Sequence, residues 1–146
     1  MKIYFDTCSL NRPVDDKTQL RIAIEAEAIL GILALCEAGT ETLVSSDILV
    51  LENERNPHEK RKAFVAAILE QATSSVMVDD VIRQRAKVLE KRGFKAFDAL
   101  HVACAEAGKV SYLCTCDDRL LKKSQRQTDL TVKVISPLEL AIEVSA

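Results

Sequence analysis

Four carboxylates stand where short apolar runs break off, at Asp6, Glu52, Asp98 and Asp117. Asp6 ends the run Ile3-Tyr4-Phe5, and Glu52 follows the four apolar residues from Ile48 to Leu51. Asp98 lies between Phe97 and Ala99-Leu100, a setting in which an acid needs a partner or a task. Asp117, with Asp118 directly behind it, closes the stretch from Val110 to Cys116. Ionised carboxylates within about 5 Å of one another repel by roughly 3 kcal/mol per pair at an effective dielectric of roughly 20. Acids that meet therefore require protons or cations. Oxygen-only ligands favour hard cations such as Mg²⁺ or Mn²⁺, and such ions suit metal-assisted hydrolysis of phosphodiesters. Taken alone, Asp6 is equally well explained as the start of a turn.

The elements that must position these acids alternate. Ile3, Tyr4 and Phe5 are consecutive apolar residues, which suits a strand covered on both faces, and ligands of open α/β sheets sit beyond the carboxyl ends of the strands. A turn-rich loop is expected at Asn11-Arg12-Pro13 and Asp15-Asp16, then a long helix from about Thr18 to Ala38, stopped by Gly39. Thr42 to Ser45 reads as a strand, and Ser46 or Asp47 caps a helix carrying Glu52. Asn56-Pro57-His58-Glu59 restarts the chain as a helix to about Ala72, with Phe64, Ala67, Ile68 and Gln71 on one side. Val76 to Val78 is a brief strand, followed by a helix capped by Asp79 or Asp80, facing inward with Ile82, Ala86 and Leu89 and ending at Gly93. Its arginines and lysines form a solvated face or, as the rival reading, an RNA-contacting one. A helix from Ala96 to Ala107 carries Asp98 and stops at Gly108. Val110 to Cys116 is a strand, Thr131 to Ile135 another, and Ser136-Pro137-Leu138-Glu139 caps a terminal helix. Strands alternating with helices predict an α/β fold with a mostly parallel sheet.

The chain of 146 residues fits one domain spanning 1–146, and its 48% apolar content excludes a disordered chain. The net charge of −2 gives no global basic field that would announce nucleic acid. There is no secretory signal pattern and no apolar run long enough to span a bilayer, and the five cysteines sit mostly in apolar segments, so a cytoplasmic, reduced protein is expected.

Ile3-Tyr4-Phe5-Asp6-Thr7, Ser46 followed by Glu52, Phe97-Asp98-Ala99-Leu100-His101-Val102-Ala103, and Thr115-Cys116-Asp117 together resemble the PIN-domain family, which includes the VapC-type toxin ribonucleases. The resemblance spans almost the whole chain in order. It implies a three-layer α/β/α sandwich with strand order 3-2-1-4-5, often dimeric, and a Mg²⁺- or Mn²⁺-dependent endoribonuclease site. Carried over by position, Asp6, Glu52, Asp98 and Asp117 are the metal-binding and catalytic acids. Thr7 and Thr115 match hydroxyls that flank the site, and the Thr-x-Asp spacing favours Asp117 over Asp118. Cys8 departs from the family at a position where many members have asparagine.

His101, three residues after Asp98, reads either as a partner for an acid or substrate or as a hydrogen-bonded core histidine. A zinc site is poorly supported by two histidines, and Cys114-x-Cys116 reads as packing. Arg12, Lys95 and Arg119 are phosphate-holding candidates or ordinary surface charges. The leading expectation is an endonuclease of single-stranded RNA, the toxin of a toxin–antitoxin pair, with an antitoxin protein and a second copy of itself as partners. The alternative is a catalytically silent PIN-like module that binds RNA or protein. A phospho-acceptor domain fits poorly: no second acid lies two residues after Asp6, and no lysine ends a later strand.

Overall fold

The opening run Lys2–Phe5 forms the central strand, β1, of a parallel sheet, in a computed structural model that describes residues 1–145. Ala146, the last residue of the expected domain, lies outside the described residues. The other strands are β2 (Thr42–Ser46), β3 (Ser74–Val76), β4 (Tyr112–Cys114) and β5 (Lys133–Ile135). They lie in the order β3-β2-β1-β4-β5, and every neighbouring pair is parallel. Ile3, Tyr4 and Phe5 are fully buried, as a strand with helices on both faces requires.

The helices are α1 (Thr7–Asn11), α2 (Leu20–Glu37), α3 (Asp47–Glu54), α4 (Glu59–Glu70), α5 (Asp80–Lys91), α6 (Ala96–Ala107), α7 (Asp118–Gln125) and α8 (Pro137–Ser145), with a 3₁₀ turn at Arg12–Val14. The long helix α2 packs on α8, while α6 packs on α5 and α3. Ile29 and Ile32 from α2, Leu49 from α3, Leu89 from α5, Val102 from α6 and Leu140 from α8 close the core over the sheet. The three-layer α/β/α architecture and the 3-2-1-4-5 order are those expected.

The local departures have physical causes. The segment after Asp6 is a helix and a 3₁₀ turn rather than a loop, because the Asp6 side chain accepts the Ser9 amide and caps α1 at once. α4 starts at Glu59, later than Asn56-Pro57 suggests. Asn56 Oδ1 accepts the His58 amide at 3.0 Å, and this side-chain turn competes with helix initiation. The buried face of α4 is Val65 and Ile68, whereas Ala67 and Gln71 are exposed. β3 lies two residues earlier than Val76 to Val78 and leaves Met77 exposed. Its pairing stops at Ser46↔Val76, where β2 itself gives way to α3. Ile82, Ala86 and Leu89 face inward on α5 as expected, and Gly39 and Gly93 take positive φ (82° and 101°) just past the ends of α2 and α5.

Candidate active site

Parallel pairing sets Phe5 of β1 beside Cys114 of β4, so the next residues, Asp6 and Thr115, leave the sheet side by side at its carboxyl edge. Asp6 is 4% exposed, and both its oxygens accept hydrogen bonds. Oδ1 accepts the Ser9 amide at 3.1 Å and the Cys8 thiol at 3.1 Å, and Oδ2 accepts the Thr115 hydroxyl at 2.5 Å. Thr115 Oγ1 also accepts the Asp117 amide at 3.0 Å. One buried hydroxyl thus ties the first acid to the backbone that presents the last, which is the physical content of the Thr-x-Asp spacing.

Asp117 caps α7 through Oδ1, accepting the amides of Arg119 at 2.8 Å and Leu120 at 3.4 Å. Asp118 is exposed and points elsewhere: Arg21 donates to its two oxygens at 2.8 and 2.9 Å, which holds its carboxyl below the usual range. Asp98 sits in the first turn of α6, half-buried, and accepts no hydrogen bond among the described residues. Burial raises its carboxyl above the ordinary range, and the charges of Asp6 and Asp117 raise it further, with His101 and Lys95 offsetting only part. Asp6, Asp98 and Asp117 therefore share one field.

Glu52 belongs to a different set of contacts. Its Oε1 accepts the Thr7 hydroxyl at 2.6 Å and lies 2.5 Å from His101 Nε2. Burial pushes Glu52 up, but the His101 hydrogen bond and charge and the Thr7 hydroxyl carry it below the usual glutamate range. His101 is 2% exposed, and its Nδ1 lies 2.7 Å from the hydroxyl of Tyr4, which in turn lies 2.7 Å from Ser46 Oγ.

As the side chains stand, no three His, Cys, Asp or Glu groups among the described residues close to metal-ligating distance. Fit to a hard cation rests instead on chemistry: an unpartnered, half-buried Asp98 carboxylate in the field of two further acids is relieved by divalent charge, and the donors are all oxygens. The phosphate-holding role considered for Arg12 does not suit its position, since it pairs with Asp15 at 3.1 Å and with buried Glu25 at 3.2 Å. Lys95 and Arg119 are exposed. On α5 and at its C-cap, Arg83, Arg85 and Arg92 are paired to Asp80, Glu106 and Asp129, so the solvated-face reading suits them better than RNA contact. The five cysteines are free thiols. Tyr4 was legible only as a core strand residue, and the donor role of Cys8 is visible only once its thiol is placed on Asp6.

A doubly wound parallel sheet that gathers carboxylates at the ends of β1 and β4 and at the start of α6 defines the class. The PIN domain family matches residues 3–125, and the chain belongs to that family, whose members are generally nucleases. Among solved structures it is similar to VapBC2 from Rickettsia felis bound to a DNA fragment from their promoter, with 15% identity, a TM-score of 0.62 and coverage of 93% of this chain and 98% of that one. It is also similar to PAE2754 from Pyrobaculum aerophilum, with 16% identity, a TM-score of 0.54 and coverage of 99% and 98%. These likenesses establish the shared fold. No curated protein matches the chain. No described helix is long and apolar enough to cross a membrane.

Proposed function

We propose that this PIN domain is a Mg²⁺- or Mn²⁺-dependent endoribonuclease that hydrolyses phosphodiester bonds of single-stranded RNA. The observation that carries the reading is Asp98, an acid with no hydrogen-bond partner among the described residues, raised by burial and by the charges of Asp6 and Asp117. Asp6, Asp98 and Asp117 would hold the cation, with Glu52 as the fourth acid. When bound, such an ion supplies Lewis-acid chemistry, acidifying a water and offsetting charge on the attacked phosphate. The protein's own share is orientation: Ser9, Cys8 and Thr115 fix Asp6, α7 fixes Asp117, and Thr7 and His101 fix Glu52.

The purified chain is expected to cut a single-stranded RNA in Mn²⁺ or Mg²⁺, with cleavage stopped by EDTA and abolished by Asp6→Asn; activity indifferent to both sinks the reading. The likeness to VapBC2, a complex bound to promoter DNA, supports the finer proposal of a toxin that pairs with an antitoxin; a cytoplasmic location and a second copy of the chain as partner belong to the same proposal. Co-expression with the product of a neighbouring short reading frame, followed by co-purification and loss of cleavage, tests that part. A second reading, a silent PIN-like binding module, draws on the engagement of Glu52 with His101 rather than with the aspartates. Calorimetry showing no divalent-ion binding would favour it.

A further inference from the structure

The contacts from Ser46 through Tyr4 and His101 form one continuous chain that ends on the Glu52 carboxylate. An ionised carboxylate only accepts hydrogen bonds, so at Glu52 Oε1 the donor is His101 Nε2–H. Nδ1 accepts from the Tyr4 hydroxyl in the neutral ring and donates to its oxygen in the imidazolium, and the Nε2–H bond to Glu52 is the same in both. The Tyr4 hydroxyl shares a hydrogen bond with Ser46 Oγ, which also accepts the Leu49 amide of α3 at 3.2 Å. Tyr4 and Ser46 are fully buried and His101 is 2% exposed, so water does not substitute for a missing partner.

The line also joins elements. Tyr4 belongs to the central strand, Ser46 caps α3, Glu52 lies one and a half turns along α3, and His101 stands three residues from Asp98 on α6. The helix that supplies Asp98 therefore also steers the acid on its neighbour. Thr7 and His101 both bond Oε1, which leaves Oε2 as the Glu52 oxygen without a protein partner among the described residues.

We propose that His101, backed by Tyr4 and Ser46, is a positioning residue that clamps Glu52 by Oε1 so that this acid acts through Oε2 alone. The inference rests on the endonuclease reading and names the device that aims its fourth acid. A histidine kept only to fill the core would make no demand on the reaction once the protein is folded.

The test uses the full chain with Mn²⁺ and a single-stranded RNA. His101→Leu, which removes the donor, is expected to lower kcat about tenfold to a hundredfold with KM for RNA unchanged. His101→Gln, which can place an amide donor near Nε2, recovers most of that loss. Tyr4→Phe deletes one oxygen while keeping the ring in the core and gives an intermediate loss, so the inference stays testable even where His101→Leu folds poorly. In a Glu52→Gln background, His101→Leu adds no further loss, because the residue acts through Glu52. Wild-type rates in both Tyr4→Phe and His101→Leu, or a loss that adds to that of Glu52→Gln, overturn the inference while leaving the endonuclease reading intact. If the wild-type chain cuts no RNA, the endonuclease reading fails, and imidazole nitrogen NMR decides the clamp by itself. A protected Nε2 proton that is lost in Glu52→Ala, with an Nδ1 shift that moves in Tyr4→Phe, supports it; a freely exchanging ring or one protonated at Nδ1 alone overturns it.

Discussion

Thr115 Oγ1 donates to Asp6 Oδ2 at 2.5 Å while accepting the Asp117 amide at 3.0 Å, so one buried hydroxyl holds two acids of the candidate site in a fixed relation. Thr115→Val keeps the shape and removes both bonds. It leaves a buried carboxylate oxygen short of its donor and a backbone amide without an acceptor. A loss of about 1–3 kcal/mol in unfolding free energy is expected from urea titration. Cleavage falls on the order of tenfold or more as Asp6 loses its orientation. Thr115→Ser retains the hydroxyl and recovers most of both.

Asp98 sets stability against function. Its folded-state pKa is raised, first by burial and then by Asp6 and Asp117, so folding favours its protonated form. The stability linked to that proton is fully present below the unfolded pKa, near 4, and is lost as pH rises through the higher folded value. At neutral pH the ionised Asp98 is a net penalty. Asp98→Asn is therefore expected to stabilise the metal-free protein at pH 7, by up to about 1 kcal/mol given its half-exposed setting, and to have no such effect below about pH 4. Added Mn²⁺ reverses the ranking. At about a hundredfold excess over Kd it stabilises the wild type by about 2.7 kcal/mol, and thermal melts show no matching gain in Asp98→Asn.

Asp117 and Asp118 are neighbours with opposite assignments. Asp117 caps α7 and raises Asp98 through its charge, whereas Asp118 is exposed and bound to Arg21. Asn caps a helix about as well as Asp. Asp117→Asn therefore keeps the fold, loses the charge and is expected to cost at least tenfold in cleavage and to weaken Mn²⁺ binding in a calorimetric titration. Asp118→Asn leaves cleavage unchanged, and a loss there equal to that of Asp117→Asn would reverse the assignment.

Asp6, Asp98 and Asp117 are legible in the sequence because each interrupts an apolar run, and a carboxylate in such a place has few explanations. The helix over Ala96–Ala107 is legible to the residue, since alanine-rich periodicity and a closing glycine agree. The strand order is not written in periodicity and came from the family resemblance. α1 has five residues, too few to show a period, so only the cap at Asp6 announces it. The clamp on Glu52 joins residues 49 apart in the chain and depends on two helices packing side by side, α3 against α6. Local spacing marks His101 as a residue near Asp98; only the packing shows that it serves Glu52.

Cys8 is where the chain departs from the family resemblance, and its thiol takes up a donor role to Asp6. Sγ lies 3.1 Å from Asp6 Oδ1 and 3.8 Å from Thr115 Oγ1. Hydrogen bonding with Cys116, burial and the Asp6 charge all push the Cys8 thiol well up, so it stays protonated and able to donate. A thiol is a weak donor, and Asp6 Oδ1 also keeps the Ser9 amide. Cys8→Ala is therefore expected to lower cleavage only about fivefold, the rate equivalent of one modest hydrogen bond. Cys8→Ser, with a stronger donor of nearly the same shape, matches or exceeds the wild type. Steady-state rates for the pair decide it. A Cys8→Ser variant as impaired as Cys8→Ala would mean that the sulfur acts through its bulk, packed against the core beside Asp6, rather than through the bond it donates.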